Sequence, residues 1–159
     1  MIAFDVAVMS EGWDEAPATL WVERAVRAAS RAGALPDADR ELSVALMDDA
    51  AVRDLNRTHR GQDRPTNVLS FPTAQIRAGD VPPYPTLGDV VLARETCERE
   101  ARERGIALAD HATHLLVHGI LHLYGHDHET DADAARMEAI ETAALGDLGI
   151  ADPYAWEAA

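Results

Sequence analysis

A single cysteine in 159 residues is too few for an internal disulfide, and it excludes a cysteine-rich metal site. Cys97 instead fits a reducing compartment. No stretch approaches the roughly 18 apolar residues of a membrane span. The opening MIAFDVAVMSEGWDE has no basic n-region and carries acids early, so the expectation is a cytoplasmic protein that makes no use of a membrane. Lysine is absent: the 14 basic residues are all arginine, set against 28 acids, for a net charge of -14. That balance argues against a protein that coats nucleic acid nonspecifically.

What remains is an ordinary globular composition, 47% hydrophobic, of a length that suits one domain over residues 1–159. The arginines are unevenly spread. Between Arg53 and Arg77 there are five (Arg53, Arg57, Arg60, Arg64 and Arg77) against Asp54 and Asp63, a local excess of 5 minus 2, or +3. An acidic chain can carry one basic groove, although solvated helix and loop charges would give the same count.

The histidines are still more concentrated: six of seven fall in HATHLLVHGILHLYGHDH, residues 111–128. His118 and His122 stand one helical turn apart, roughly 6 Å along the axis of one face. Gly125 can take a left-handed conformation without a Cβ penalty, so the helix can stop there and the chain can swing His128 back. Three neutral nitrogens and no thiolate leave one position open, which suits a catalytic zinc rather than a structural one. His111, His114, His118 and His122 share an arc of about 80°, while leucine, isoleucine and valine fill most of the rest. Such a helix belongs inside the domain with its histidine arc on a cleft. His114 could contact substrate there, and His111 could line the cleft or serve structure. Asp127 could hold a ligand ring through its second N–H or cap the next turn.

Periodicity places strands at 2–9, 41–47, 68–71 and 87–93, the last buried on both faces. Helices are expected at 16–32, from Asp48 or Asp49 to Thr58, at 94–104, at 108–124, and from a Thr130 cap to Leu145 with a stop at Gly146. Residues 73–86, with Gly79, Pro82, Pro83 and Pro85, read as a loop. Four strands and about five helices in this mixture make an α/β (α+β) domain with the metal site on its central buried helix.

The ligand spacing matches the metzincin protease pattern, but Gly119 stands where those enzymes keep a glutamate general base. Glycine cannot accept a proton, so ordinary peptide hydrolysis should be crippled. Reaction at a phosphodiester stays feasible if cations hold the phosphate.

Together, RGQDRPTNVLSFP at 60–72, LGDVV at 87–91, HLLVHGILHLYGHDH at 114–128 and LGIADPY at 148–154 resemble the YbeY family of bacterial endoribonucleases and ribosomal RNA maturation factors. The family more often has tyrosine at position 126, and ligand spacing favours His128 over His126. The resemblance implies a small mixed sheet packed by helices, one Zn2+ held by His118, His122 and His128, and cleavage of single-stranded RNA. It further implies work on small-subunit ribosomal RNA, including its 3′ end, and in ribosome quality control. Arg60 matches the family's functional arginine, which agrees with its place in the basic stretch and with the fork a guanidinium offers to phosphate oxygens. Ribosomal proteins could supply RNA affinity that the acidic remainder lacks. Thr66, Asn67 and Ser70 read as turn and strand chemistry. Two rival readings are a noncatalytic assembly factor, whose zinc only shapes a surface, and a residual protease.

Overall fold

The computed structural model describes residues 1–155. Alternating apolar residues lay down β1 (Ile2–Val8) and β2 (Arg40–Met47), joined by α1 (Glu15–Ala32). The connection is a parallel crossover, with Phe4 opposite Leu42 and Val6 opposite Val44. Next come α2 (Asp49–Arg60), β3 (Val68–Pro72), β4 (Thr86–Ala93), α3 (Arg94–Arg104), α4 (Leu108–Leu123) and α5 (Asp131–Asp147). The sheet order is β1-β2-β4-β3, with β4 parallel to β2 and β3 antiparallel to β4. The expected mixed four-stranded sheet with five helices is therefore the architecture found.

β4 sits between two neighbours, and its apolar run follows from that position: Val90 and Leu92 face the main core, whereas Val91 and Ala93 join Leu69 and Val52 on the opposite face. The main core lies between one sheet face and α1, α4 and α5, built from Leu42, Val44, Leu46, Val90 and Leu92 against Leu116, Ile120 and Leu121. Cys97 is fully buried there, and burial pushes its thiol far up, so it is an inert small apolar side chain.

The helix starts obey ordinary capping. The Asp48 side chain accepts from the Ala51 N–H at 2.9 Å, and Thr130 Oγ accepts from the Asp133 N–H at 3.1 Å. Asp49 is used differently: its carboxylate accepts from the Thr96 N–H and hydroxyl, while its own N–H donates to Glu95, tying together the starts of α2 and α3. Two helix ends run past expectation, α2 to Arg60 and α5 beyond Leu145. α5 passes through Gly146 and ends at Asp147, because the left-handed residue that closes it is Gly149 (φ 73°).

α4 lies beneath α1, α3, α5, β3 and β4. From His111 to Tyr124 every residue is buried except His118 and His122, which are half-buried. Gly119 explains how closely this helix meets the sheet. A Cβ built there would lie 2.7 Å from Val90 Cγ1, and the Gly119 carbonyl accepts from Ser70 Oγ at 3.2 Å. A glutamate at this position has no space, so the absence of a protease-type base is built into helix–sheet packing.

Candidate metal centre

α4 presents His118 and His122 on one face, with their Nε2 atoms 3.0 Å apart. The helix then ends through Gly125 (φ 90°), whose N–H donates to the His122 carbonyl, while the His126 N–H donates to that of Leu121. This reversal returns His128, whose ring centroid lies 5.6 Å from that of His118 and 5.2 Å from that of His122. One nitrogen from each of the three rings lies within 4.8 Å of the other two. Tetrahedral bonds of about 2.0 to 2.1 Å place ligand nitrogens about 3.3 Å apart, so small movements bring this trio onto one ion.

The protonation states fit that use. Burial, and then the neighbouring His118 and His128, push His122 down to about 4, so at neutral pH it is an uncharged imidazole with a free lone pair. His118 Nδ1 donates to the carboxylate of Glu141, a fully buried residue on α5. Burial would raise the Glu141 carboxyl, but the pull of the His114 and His118 imidazoles and the Tyr154 hydroxyl prevails and holds it at about 2. An ionised carboxylate can only accept, so His118 must carry its proton on Nδ1 and turn the Nε2 lone pair toward His122 and His128. Carboxylate, imidazole and open lone pair in series form the support that metal-binding histidines ordinarily have.

Glu141 has no role in the sequence reading above, although a signal for it exists. Met137, Glu141, Ala144 and Leu145 are the buried residues of α5, and their spacing of four, three and one puts Glu141 on the apolar face. Tyr154, within the LGIADPY segment, donates its hydroxyl to the other oxygen of Glu141. Asp127, considered above as a partner for a ligand ring, instead accepts from the Glu129 N–H at 3.3 Å, which is the turn-capping alternative.

The three histidines open on a cavity of about 450 Å³ that is also lined by Arg60, Asn67 and Ser70. Arg60 is the last residue of α2, where Gly61 (φ 68°) turns the chain away, and it is exposed. Elsewhere in the basic stretch, Arg53 pairs with Asp63, Arg57 with Asp54, and Arg64 bonds Gln62. Arg60 has no ion pair among the described residues. Beyond lining the cavity, Asn67 donates to Glu100, which also bonds His111 at 2.9 Å, so His111 ties α4 to α3 from inside.

His114 is placed apart from these groups. It is 8% exposed, with Nε2 3.5 Å from Glu141 and its ring edge-to-face with Tyr154. It lines a different cavity, with His111, Leu145 and Ile150. His126 likewise faces away from the trio, into a cavity with Arg77 and Arg136.

The turn at Gly125 is required twice over: its φ is left-handed, and a Cβ would lie 2.6 Å from the Ile76 carbonyl oxygen and from the Arg77 carbonyl carbon. Gly125→Ala is expected to cost more than the roughly 1 to 2 kcal/mol of the conformation alone and to weaken divalent-metal binding by displacing His128. Gly146→Ala, with nothing near its added methyl, should be neutral or stabilising by comparison. Thermal melts and metal titration of both variants check this; equal behaviour would remove the special role of Gly125.

The model of the family "Endoribonuclease YbeY" matches residues 8–149. The endoribonuclease YbeY of Methylocella silvestris is 50% identical over 152 residues, covering 94% of this chain and 84% of that protein. That of Sphingopyxis alaskensis is 53% identical over 148 residues, covering 85% and 88%. The solution structure of TM1509 from Thermotoga maritima superposes with a TM-score of 0.59 at 25% identity, covering 94% of this chain and 92% of that one. With a family model spanning most of its length and relatives at half identity, the chain belongs to the YbeY family.

Proposed function

We propose that this protein is a zinc-dependent endoribonuclease that cuts single-stranded RNA and acts on small-subunit ribosomal RNA, including its 3′ end, in the cytoplasm. The observation that carries the reading is the union of three imidazoles and a guanidinium with no ion pair among the described residues on one cavity. His118, His122 and His128 would hold the ion, which when bound supplies Lewis acidity at a phosphoryl oxygen. Arg60 neutralises charge that builds on the other phosphorus oxygens, a role its two-pronged donor geometry suits. Glu141 keeps His118 in its ligating tautomer. Gly119 takes away the base that a protease of this ligand spacing carries at that position, whereas phosphate chemistry draws on the cation that a peptide site would not need. Ribosomal proteins are partners that could direct an otherwise acidic protein to its RNA.

The test pairs metal analysis of the purified protein with cleavage of single-stranded and duplex RNA by wild type and Arg60→Ala. Arg60→Ala should cut about 10² to 10³ times more slowly with metal content unchanged, the usual loss on removing one charge-stabilising donor. Metal loss in that variant would make the arginine structural, and wild type that holds metal but cuts no RNA would leave the assembly-factor reading. Mass spectrometry of the products identifies the nucleophile. A 2′,3′-cyclic phosphate means the ribose hydroxyl attacked; a 5′-phosphate opposite an intact 3′-hydroxyl means water did.

A further inference from the structure

Next to the metal cavity lies a second one of about 400 Å³, lined by Ile76, Arg77, His126, Asp127, Asp133 and Arg136. Asp127 borders both cavities, so the two adjoin. The walls come from three segments. Arg77 belongs to the loop between β3 and β4, which is pressed onto the metal-returning turn: the backbone of residues 76–78 occupies the space a Cβ on Gly125 would need. His126 and Asp127 belong to that turn, and Asp133 and Arg136 to the first turns of α5.

The lining is unusual in its charges. Two guanidiniums and two carboxylates surround one cavity, yet among the described residues none of the four forms an ion pair. His126 is 8% exposed and lines the same space, and its ring makes no hydrogen bond among the described residues. The formal balance of 2 minus 2 is zero, so a phosphate would meet Asp127 and Asp133 as well as the arginines. A ligand that satisfies this lining must present donors beside acceptors.

A nucleobase does so, and guanine does it best. O6 and N7 accept a guanidinium fork, while N1–H and N2–H donate to a carboxylate. Imidazole and guanidinium planes also provide stacking for a base lifted out of a single strand. The volume lies in the range of small-ligand sites.

We propose that this cavity is a guanine-binding subsite for a nucleotide flanking the cleaved phosphodiester, with Arg77 and Arg136 as donors and Asp133 as acceptor. The inference rests on the nuclease reading for its place in the reaction, and it adds a reason for single-strand selectivity. In a duplex the N1–H and N2–H edge is occupied by pairing and cannot reach Asp133.

The test has two readouts on the full, metal-loaded chain. The first is binding of guanosine against adenosine, cytidine and inorganic phosphate, followed by NMR. The second is sequencing of cut sites in a randomised single-stranded RNA. Guanosine should bind about 10- to 100-fold tighter than adenosine, and guanine should be enriched at one fixed position beside the cut. Asp133→Asn, Arg136→Gln and Arg77→Gln, on half-exposed or exposed side chains of two separate segments, should each flatten both preferences; melting curves report their folding. Equal binding of guanosine and adenosine with no base enrichment would overturn the proposal, as would inorganic phosphate binding that the arginine substitutions abolish in place of guanosine binding. Guanosine selectivity in a protein that cuts no RNA would retain the pocket and sink the nuclease reading. Unselective cutting without guanosine discrimination would do the reverse.

Discussion

His122→Ala should abolish stoichiometric metal binding and lower RNA cleavage by more than about 10³-fold, while leaving the chain folded. The size of the effect follows from the donor count. Three imidazoles are the whole candidate ligand set among the described residues, and two cannot hold a catalytic ion that needs three protein ligands and one open position. The retention of fold follows from where His122 points. Its ring contacts the other two histidines and the backbone at His126, its side chain is half-buried, and alanine is the best helix former for the position it vacates. The His118, Glu141 and Tyr154 connection does not pass through it. Elemental analysis, circular dichroism and a single-turnover cleavage assay measure the three quantities separately. A variant that loses its metal yet cuts RNA within about tenfold of wild type would detach the metal from the reaction. The protein would then hold an ion for structure and cut by other groups.

Much of this centre was open to reading in the sequence because its ligands are local. His118, His122, Gly125 and His128 span eleven positions, and helix periodicity with one left-handed glycine fixes how they meet. The elements were legible for a similar reason: Leu42, Val44 and Leu46 alternate, α4 is apolar nearly all round, and the capping residues Asp48 and Thr130 stand where side-chain acceptors are needed. What sequence spacing could not convey is contact across the fold. His114 shares the helical arc of the ligands, but the packing of α5 and of the segment ending in Tyr154 puts Glu141 against it and leaves it on a different cavity. Gly119 read as a lost base; only the approach of Val90 shows that a side chain has nowhere to go. The segment 73–86 read only as a loop, yet its residues 76–78 fill the hollow over Gly125.

The second large effect is expected at Glu141, the carboxylate on the apolar face of α5. Glu141→Leu keeps much of the volume and removes the acceptor. It leaves His118 Nδ1–H and the Tyr154 hydroxyl facing an apolar side chain in a fully buried site. Each buried donor left without a partner costs about 1 to 3 kcal/mol, so the variant should lose on the order of 2 to 6 kcal/mol of stability, a large share of what holds a domain of this size folded. Losing the carboxylate also frees His118 to shift its proton to Nε2 or to rotate, and metal affinity should fall about 10- to 100-fold. Glu141→Gln tests the charge separately from the shape. Its amide oxygen can serve one donor, but its NH2 group then faces the other, so stability and affinity should fall between wild type and the leucine variant. Tyr154→Phe supplies the control that links the two observations. If the tyrosine acts on the metal through Glu141, removing its hydroxyl should weaken metal binding in the wild-type background and change it little once Glu141 is leucine, a coupling that a double-mutant cycle reads directly. Additive losses from the two substitutions would place the hydroxyl outside this network, and unchanged metal affinity in Glu141→Leu would leave His118 oriented by helix packing alone.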